Sequence, residues 1–267
     1  MDLRSAADLA ISLARRAGDL AVAERETARV RSKGDGADLV THVDHAAERL
    51  IAAGIAERYP EHGILGEEEG EQGAGADAPL RWLIDPLDGT NNYVLGLDVY
   101  GVCITLCDRE GPLVAVVHDS PRRRTCWAIR GEGAYLSVGA SGPRRLRLDA
   151  ADPLAHTTVS FTQGYAVGHD DARRNAIFGA LERSAKRVLR TWAPSADWVL
   201  LATGRLGALL AYRNEIWDLL GGILIAEEAG ADVLRDRTGE LVLVGHPGTV
   251  QELRGLVGPD GLIGLDG

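Results

Sequence analysis

An apolar segment, Trp82-Leu83-Ile84, runs directly into Asp85-Pro86-Leu87-Asp88-Gly89-Thr90-Asn91-Asn92, and few local structures accommodate that string. Residues 81–84 read as a buried strand, and Pro86, which has no amide proton, stops its ladder just after Asp85. Asp88-Gly89-Thr90 then turns the chain toward a helix, presenting the Gly89 and Thr90 N–H groups where helix starts attract phosphate. Two aspartates three residues apart, beside an anion-accepting turn, cannot both stay ionised near a phosphate without a cation between them. Oxygen ligands alone select hard cations such as Mg²⁺. An isolated D-x-x-D-G is most often a turn with a cap. The full string from Trp82 to Asn92 leaves that plain reading little room.

Two further segments concentrate acid. Gly66-Glu67-Glu68-Glu69-Gly70 is one, with a solvated acidic loop as the plain alternative. Trp217-Asp218 opens an apolar helix, where Asp218 could equally be an N-cap. Asp44 sits in Thr41-x-x-Asp44, a capping-box pattern at a helix start. His42 and His45 flank it, and a solvated or supporting placement suits them. The seven histidines form no metal-ligand spacing, and no Cys or Ser nucleophile motif is evident.

Helical periodicity covers 3–26 and 41–58, the latter ended by Pro60. Strands are expected at 81–84, 100–107, 113–118 and 125–129, with a seam at Gly139-Ala140-Ser141-Gly142-Pro143. Beyond it come a strand at 157–162, helices at 171–183 and 195–203, a strand at 206–212, a helix at 218–228 and a hairpin over 232–245. This mixed order implies a layered α/β architecture, divided into an N-terminal part, 1–142, and a C-terminal part, 143–267.

The net charge of −10 argues against a nucleic-acid partner, whose phosphates reward clustered Lys and Arg. No apolar run reaches the length of a membrane helix, and the acidic and basic residues in the first twenty positions exclude a signal peptide. Cys103, Cys107 and Cys126 read as small hydrophobes in strands, which fits a reducing cytoplasm. Arg122-Arg123-Arg124 reads as a solvated hairpin tip. Lysine occurs only at 33 and 186, which draws attention to Lys33.

Taken together the segments resemble the inositol monophosphatase superfamily of Mg²⁺-dependent, lithium-sensitive phosphatases. The resemblance rests on Asp38-Leu39-Val40-Thr41-x-x-Asp44, Gly66-Glu67-Glu68, the Asp85–Asn92 string, Gly131-x-Gly133-Ala134, and Trp217-Asp218 followed by Glu228-Ala229-Gly230. It implies an αβαβα sandwich, hydrolysis of a small phosphate monoester by direct water attack, two to three Mg²⁺ ions per site, and a homodimer. It also implies residue roles. Glu67, Asp85 and the Leu87 carbonyl would hold one ion; Asp85, Asp88 and Asp218 a second; a weaker third would share Glu67. Thr90 and Asp44 would orient the attacking water, the Asp88-Gly89-Thr90 turn would bind phosphate, and Lys33 would match a family lysine near the metal loop.

Substrate choice departs from the family. Its small-residue segment before the helix near Asp197 is replaced by Arg190-Thr191-Trp192-Ala193-Pro194-Ser195. An acidic residue seven positions before the Trp-Asp aspartate is Ala211 here, so a polyol hydroxyl would lose a charged acceptor, at a cost of about 1.5–3 kcal/mol. Trp192, Pro194, Tyr212 and Glu215 are the candidate substrate contacts, and myo-inositol phosphate is not the expected preferred substrate. The alternatives are a 3′-phosphatase acting on adenosine bisphosphate, a two-metal nuclease, or a non-catalytic binding module on the same fold.

Overall fold

The computed structural model describes residues 2–33, 38–148 and 152–257. Its helices are α1 (Leu3–Glu24), α2 (His42–Arg58), α3 (Thr90–Leu95), α4 (Ala172–Ser184), α5 (Pro194–Ala202), α6 (Ile216–Glu228) and α7 (Pro247–Val257). The stripe Ala6, Ala10, Leu13 and Ala17 of α1 is buried, as are Ala47, Ile51 and Ile55 of α2. The small alanines let both helices lie close on one face of an eight-stranded sheet, against Trp82, Ile84, Val102 and Val116. Helix α1 stops at Glu24, two residues short of expectation, and a 3-10 turn over Arg25–Thr27 follows.

Across the eight-stranded sheet the strands run Arg144–Arg145, Gly133–Val138, Arg124–Ile129, Gly111–Asp119, Gly101–Asp108, Arg81–Asp88, Gly63–Gly66 and Gly70–Gly73. The second sheet has five strands in the order Arg187–Leu189, Thr158–Gln163, Ala208–Tyr212, Leu241–Gly245 and Asp232–Arg235. Helices α5 and α6 fill the space between the sheets. Val199, Leu224 and Ile225 meet Cys103, Val117 and Cys126 on one side, while Trp198, Leu201 and Ile223 meet Leu209, Ala211 and Val242 on the other. Ile177 of α4 and Val250 and Leu253 of α7 cover the outer face of the second sheet. The layers therefore alternate α1/α2, sheet, α5/α6, sheet, α4/α7, the αβαβα sandwich that the resemblance implies. Arg144–Arg145, just past the expected seam, still pairs with Tyr135 and Leu136 of the first sheet. No helix among the described residues is long and apolar enough to cross a membrane.

Alternation along the strand Ala208–Tyr212 bears on one sequence reading. Leu209 and Ala211 face α5 and α6, whereas Leu210 and Tyr212 face the outer helices. Tyr212 is therefore a core residue of the α4/α7 layer, and its candidacy as a substrate contact is corrected on that ground.

The middle layer fixes the start of α6. A Cβ on Gly222 would fall 2.0 Å from the Trp198 ring, and one on Gly221 would fall 2.3 Å from Thr105 Oγ1. The glycine pair lets α6 press onto both α5 and the first sheet, and Trp198 Nε1 donates a 2.7 Å bond to the Asp218 carbonyl. Asp218 is thereby held over the ends of the strands that carry Asp85 and Cys103.

Candidate metal centre

Asp85 and Asp88 both lie in the strand Arg81–Asp88, which continues through Pro86 instead of ending there. In a regular strand, residues three apart point to opposite faces. Here the register against Gly101–Asp108 shifts between Asp85 and Asp88, and such an irregularity re-aims side chains. Pro86, with no donor to lose, suits the break. As a result, carboxylate oxygens of Asp85, Asp88 and Asp218 lie within 4.8 Å of one another, with Asp85 and Asp88 buried. Glu67 joins the group through a side-chain contact with Asp85.

Burial, then the charges of Glu67, Asp88 and Asp218, pushes the Asp85 carboxyl well above the usual range. Asp218 is raised by burial and by Asp88 and Glu67. Burial lifts Asp88 to about 7 even though the Ser195 backbone N–H donates to it at 2.6 Å. This is a set of buried oxygen donors repelling one another, the donor chemistry that a hard divalent cation relieves. The residues present fit Mg²⁺.

Lys33 supplies the cationic side chain close to these acids. Its ammonium lies 3.1 Å from Glu67 Oε1, 2.5 Å from Glu68 Oε1 and 3.9 Å from Asp38 Oδ2. Burial opposes its charge, but Glu67 and Glu68 outweigh burial and hold its pKa above the ordinary lysine value. It sits at the end of Val30–Lys33, which pairs with Asp38–Thr41 in a hairpin that periodicity did not reveal.

Asp44 closes the capping box and also reaches Thr90. Its Oδ2 accepts from the Thr41 N–H at 2.9 Å and from the Thr41 hydroxyl at 2.6 Å, closing the capping box of α2. Its Oδ1 lies 2.9 Å from the Thr90 hydroxyl, which is also 2.9 Å from the Leu87 carbonyl. Burial raises the Asp44 pKa against the bonds from Thr41 and Thr90.

Gly89 precedes α3 at φ 85°, and a Cβ there would fall 2.8 Å from the Val99 carbonyl oxygen. Both facts demand glycine at the turn. Lys33, Glu67, Asp85, Leu87, Asp88, Gly89, Thr90 and Asp218 line one cleft of about 320 Å³, and Trp192, Pro194 and Glu215 line it too. Asp44 stands behind Thr90, and Tyr212 lies elsewhere. Thr162, Gln163, Tyr165 and Asn214 also line the cleft and carried no signal in the sequence. His45 lies 3.1 Å from Glu69 and His42 3.0 Å from Glu24, both away from the acid cluster.

Glu48 was also missed, although it lies one helical turn after Asp44. It is fully buried, and its carboxylate accepts the Glu68 and Glu69 backbone N–H groups at 2.8 and 2.9 Å. A Cβ at position 66 would fall 1.9 Å from Glu48 Oε1, which explains Gly66. Glu48 thus pins the loop that presents Glu67. Glu48→Ala should lower metal affinity or turnover by about 10- to 100-fold, as loss of an outer brace does. Glu48→Gln, which keeps one acceptor, should lower it less, and Mg²⁺ titration of both variants checks the order.

Residues 2–263 match the profile of the inositol monophosphatase family. The chain is 35% identical over 247 residues to the Nus factor SuhB of Pseudomonas aeruginosa, covering 90% of this chain and 89% of the relative. It is 29% identical over 224 residues to a fructose-1,6-bisphosphatase/inositol-1-monophosphatase of Aquifex aeolicus, covering 84% and 79%. Among solved structures, SuhB of Mycobacterium tuberculosis superposes with a TM-score of 0.80 at 30% identity, covering 97% of both chains. The suhB extragenic suppressor protein of Bartonella henselae gives 0.84 at 25% identity, covering 94% and 98%. The sequence match over nearly the whole chain, the shared fold and the converged acids agree, and this chain belongs to the inositol monophosphatase family.

Proposed function

We propose that this phosphoric monoester hydrolase cleaves a small soluble phosphate monoester with water as the attacking group. The observation that carries the reading is the convergence of Asp85, Asp88 and Asp218, drawn from segments some 130 residues apart, to within 4.8 Å. Glu67, Asp85, the Leu87 carbonyl, Asp88 and Asp218 would hold two to three Mg²⁺ ions. When bound, Mg²⁺ supplies acidification of water and neutralisation of charge on the leaving oxygen.

The chain's own residues do the rest. The Thr90 hydroxyl has one proton, shared between Asp44 and the Leu87 carbonyl. Its lone pairs are left to accept a hydrogen bond from the attacking water, with Asp44 behind it to take up a proton. The Gly89 and Thr90 N–H groups would receive phosphate oxygens. Lys33 holds Glu67 in place as a counter-charge.

Ala211 lies in the second sheet, buried against α5 and α6, where it offers the cleft no acceptor. Glu215 lines the cleft and offers one carboxylate. These placements support a sugar, nucleotide or amino-alcohol phosphate ahead of myo-inositol phosphate. Homodimeric assembly and a cytoplasmic location belong to the same reading; the first rests on family membership, the second on the free cysteines Cys103, Cys107 and Cys126. The name Nus factor on several relatives points to the alternative, a non-catalytic binding role. The complete set Glu67, Asp85, Asp88, Thr90 and Asp218 favours catalysis. A phosphate-release screen over sugar, polyol, amino-alcohol and nucleotide phosphates should find turnover that needs Mg²⁺ and stops with chelator. Inertness of the folded protein toward the whole panel would overturn the reading.

A further inference from the structure

A second cavity of about 320 Å³ opens beside the metal cleft and shares Gln163, Gly164, Tyr165 and Trp192 with it. Asn91, Leu95, Val167 and His169 complete much of its wall, and among the described residues its lining holds no Asp, Glu, Lys or Arg. The metal cleft is dominated by acids, so the two chambers differ sharply in chemistry.

Tyr165 and Trp192 stand between them as a splayed pair, ring centroids 6.3 Å apart and planes 30° apart. They are 48% and 38% exposed. Trp192 adopts φ 56°, a conformation that bulky side chains rarely take and that functional sites tend to retain. Three contacts hold it there. The Arg190 guanidinium lies 4.7 Å from the Trp192 ring centroid, and Arg190 is itself bonded to Gln163 Oε1 at 3.0 Å. The Thr191 carbonyl accepts a 2.7 Å bond from Asn92 Nδ2, which ties the tryptophan loop to α3 and so to the Gly89-Thr90 turn.

From this arrangement we propose that the second cavity is a ring subsite, seating a flat, uncharged or weakly basic unsaturated ring carried by the alcohol part of the substrate. The inference rests on the hydrolase reading and narrows its substrate class. Aromatic faces stack on flat rings and offer little to a saturated polyol. With one side of Trp192 engaged by Arg190, the ring pair has open surface to give a ligand, and Asn91 and His169 provide polar contacts for ring heteroatoms. The tie from Asn92 to Thr191 keeps ring wall and phosphate turn at a fixed separation, which suits one molecule bridging both.

The test compares 2-phenylethyl phosphate with 2-cyclohexylethyl phosphate, similar leaving groups that differ in flatness. With Mg²⁺ the wild-type kcat/KM should favour the phenyl compound by about tenfold. Trp192→Gly, which removes the ring and relieves the positive φ, should erase the preference, as should Tyr165→Ala, while Trp192→Phe should retain most of it. Binding of 2-phenylethanol, read by ring-proton saturation transfer, gives a readout independent of turnover and should vanish in Trp192→Gly. Equal kcat/KM for the two phosphates in the wild type would overturn the proposal. So would variants that lower both equally while a dimer separates into monomers, since the patch would then be an interface between copies. Absence of turnover toward these two phosphates and the whole panel above, with retained 2-phenylethanol binding at Trp192, would sink the hydrolase reading and support the subsite. Absence of that binding would sink the subsite whatever the turnover.

Discussion

Asp88→Asn should lower Mg²⁺-dependent phosphate release by about 10²- to 10³-fold or more, the scale of losing one group aimed at developing charge. The substitution is nearly isosteric, and the asparagine carbonyl still accepts the Ser195 N–H that now bonds Asp88 at 2.6 Å. The fold should survive. Stability of the metal-free protein near pH 8 should even rise, because a buried carboxylate next to other acids is replaced by a neutral amide. Steady-state assays and thermal unfolding of the same preparations check both halves. Loss of activity with loss of fold would mean that Asp88 is chiefly a structural cap for α5.

The second large effect is a reversal of pH dependence by metal. In the unfolded chain the clustered aspartates titrate near 4. In the folded, metal-free protein Asp88 is raised to about 7, and Asp85 and Asp218 are raised as well. A raised folded pKa means that the native state holds protons the unfolded state has released. The stability contribution is complete below about pH 4 and is lost as pH climbs through about 7. Asp197 and Glu68, also raised to about 7, act with the same sign. His118, lowered to about 4 by burial, acts in the opposite sense below about pH 6.5. The window from about pH 6.5 to 8 therefore isolates the acids, and the chelated protein should lose thermal stability across it. Mg²⁺ binds the ionised cluster, so its stabilisation should grow over the same window. At about 100 times Kd it should add about 2.7 kcal/mol, or roughly 5–10 °C for a chain of this size. Calorimetric scans with chelator and with Mg²⁺ at three pH values measure it, and parallel pH profiles in the two conditions would remove the electrostatic basis of the account.

Much of this site could be read from the chain because its acids sit at places where folding alone gives them little to do. The Asp85–Asn92 string, the Glu67 turn and Asp218 were all legible, and the layered α/β order followed from the sequence of periodic segments. What sequence could not supply was direction. Tyr212 and Ala211 are neighbours in one strand, and only their packing, Ala211 against α5 and α6 and Tyr212 against the outer helices, tells which faces the middle layer. The register break at Pro86 was likewise hidden, since a proline reads equally as a strand stop. Glu48 was invisible because its partners are backbone N–H groups twenty residues away, which no side-chain pattern records. The second cavity is built from segments near 91, 165 and 192; sequence drew attention to Asn91 and Trp192 but not to Tyr165, nor to their meeting.

The most direct measurement is anomalous diffraction from crystals soaked in Mn²⁺ as a stand-in for Mg²⁺. The expected result is an anomalous peak within bonding distance of carboxylate oxygens from Asp85, Asp88 and Asp218 together, lost in Asp218→Asn crystals. Peaks that avoid all three aspartates, in a preparation that releases phosphate at full rate, would contradict the claim that these acids are gathered to hold the cation.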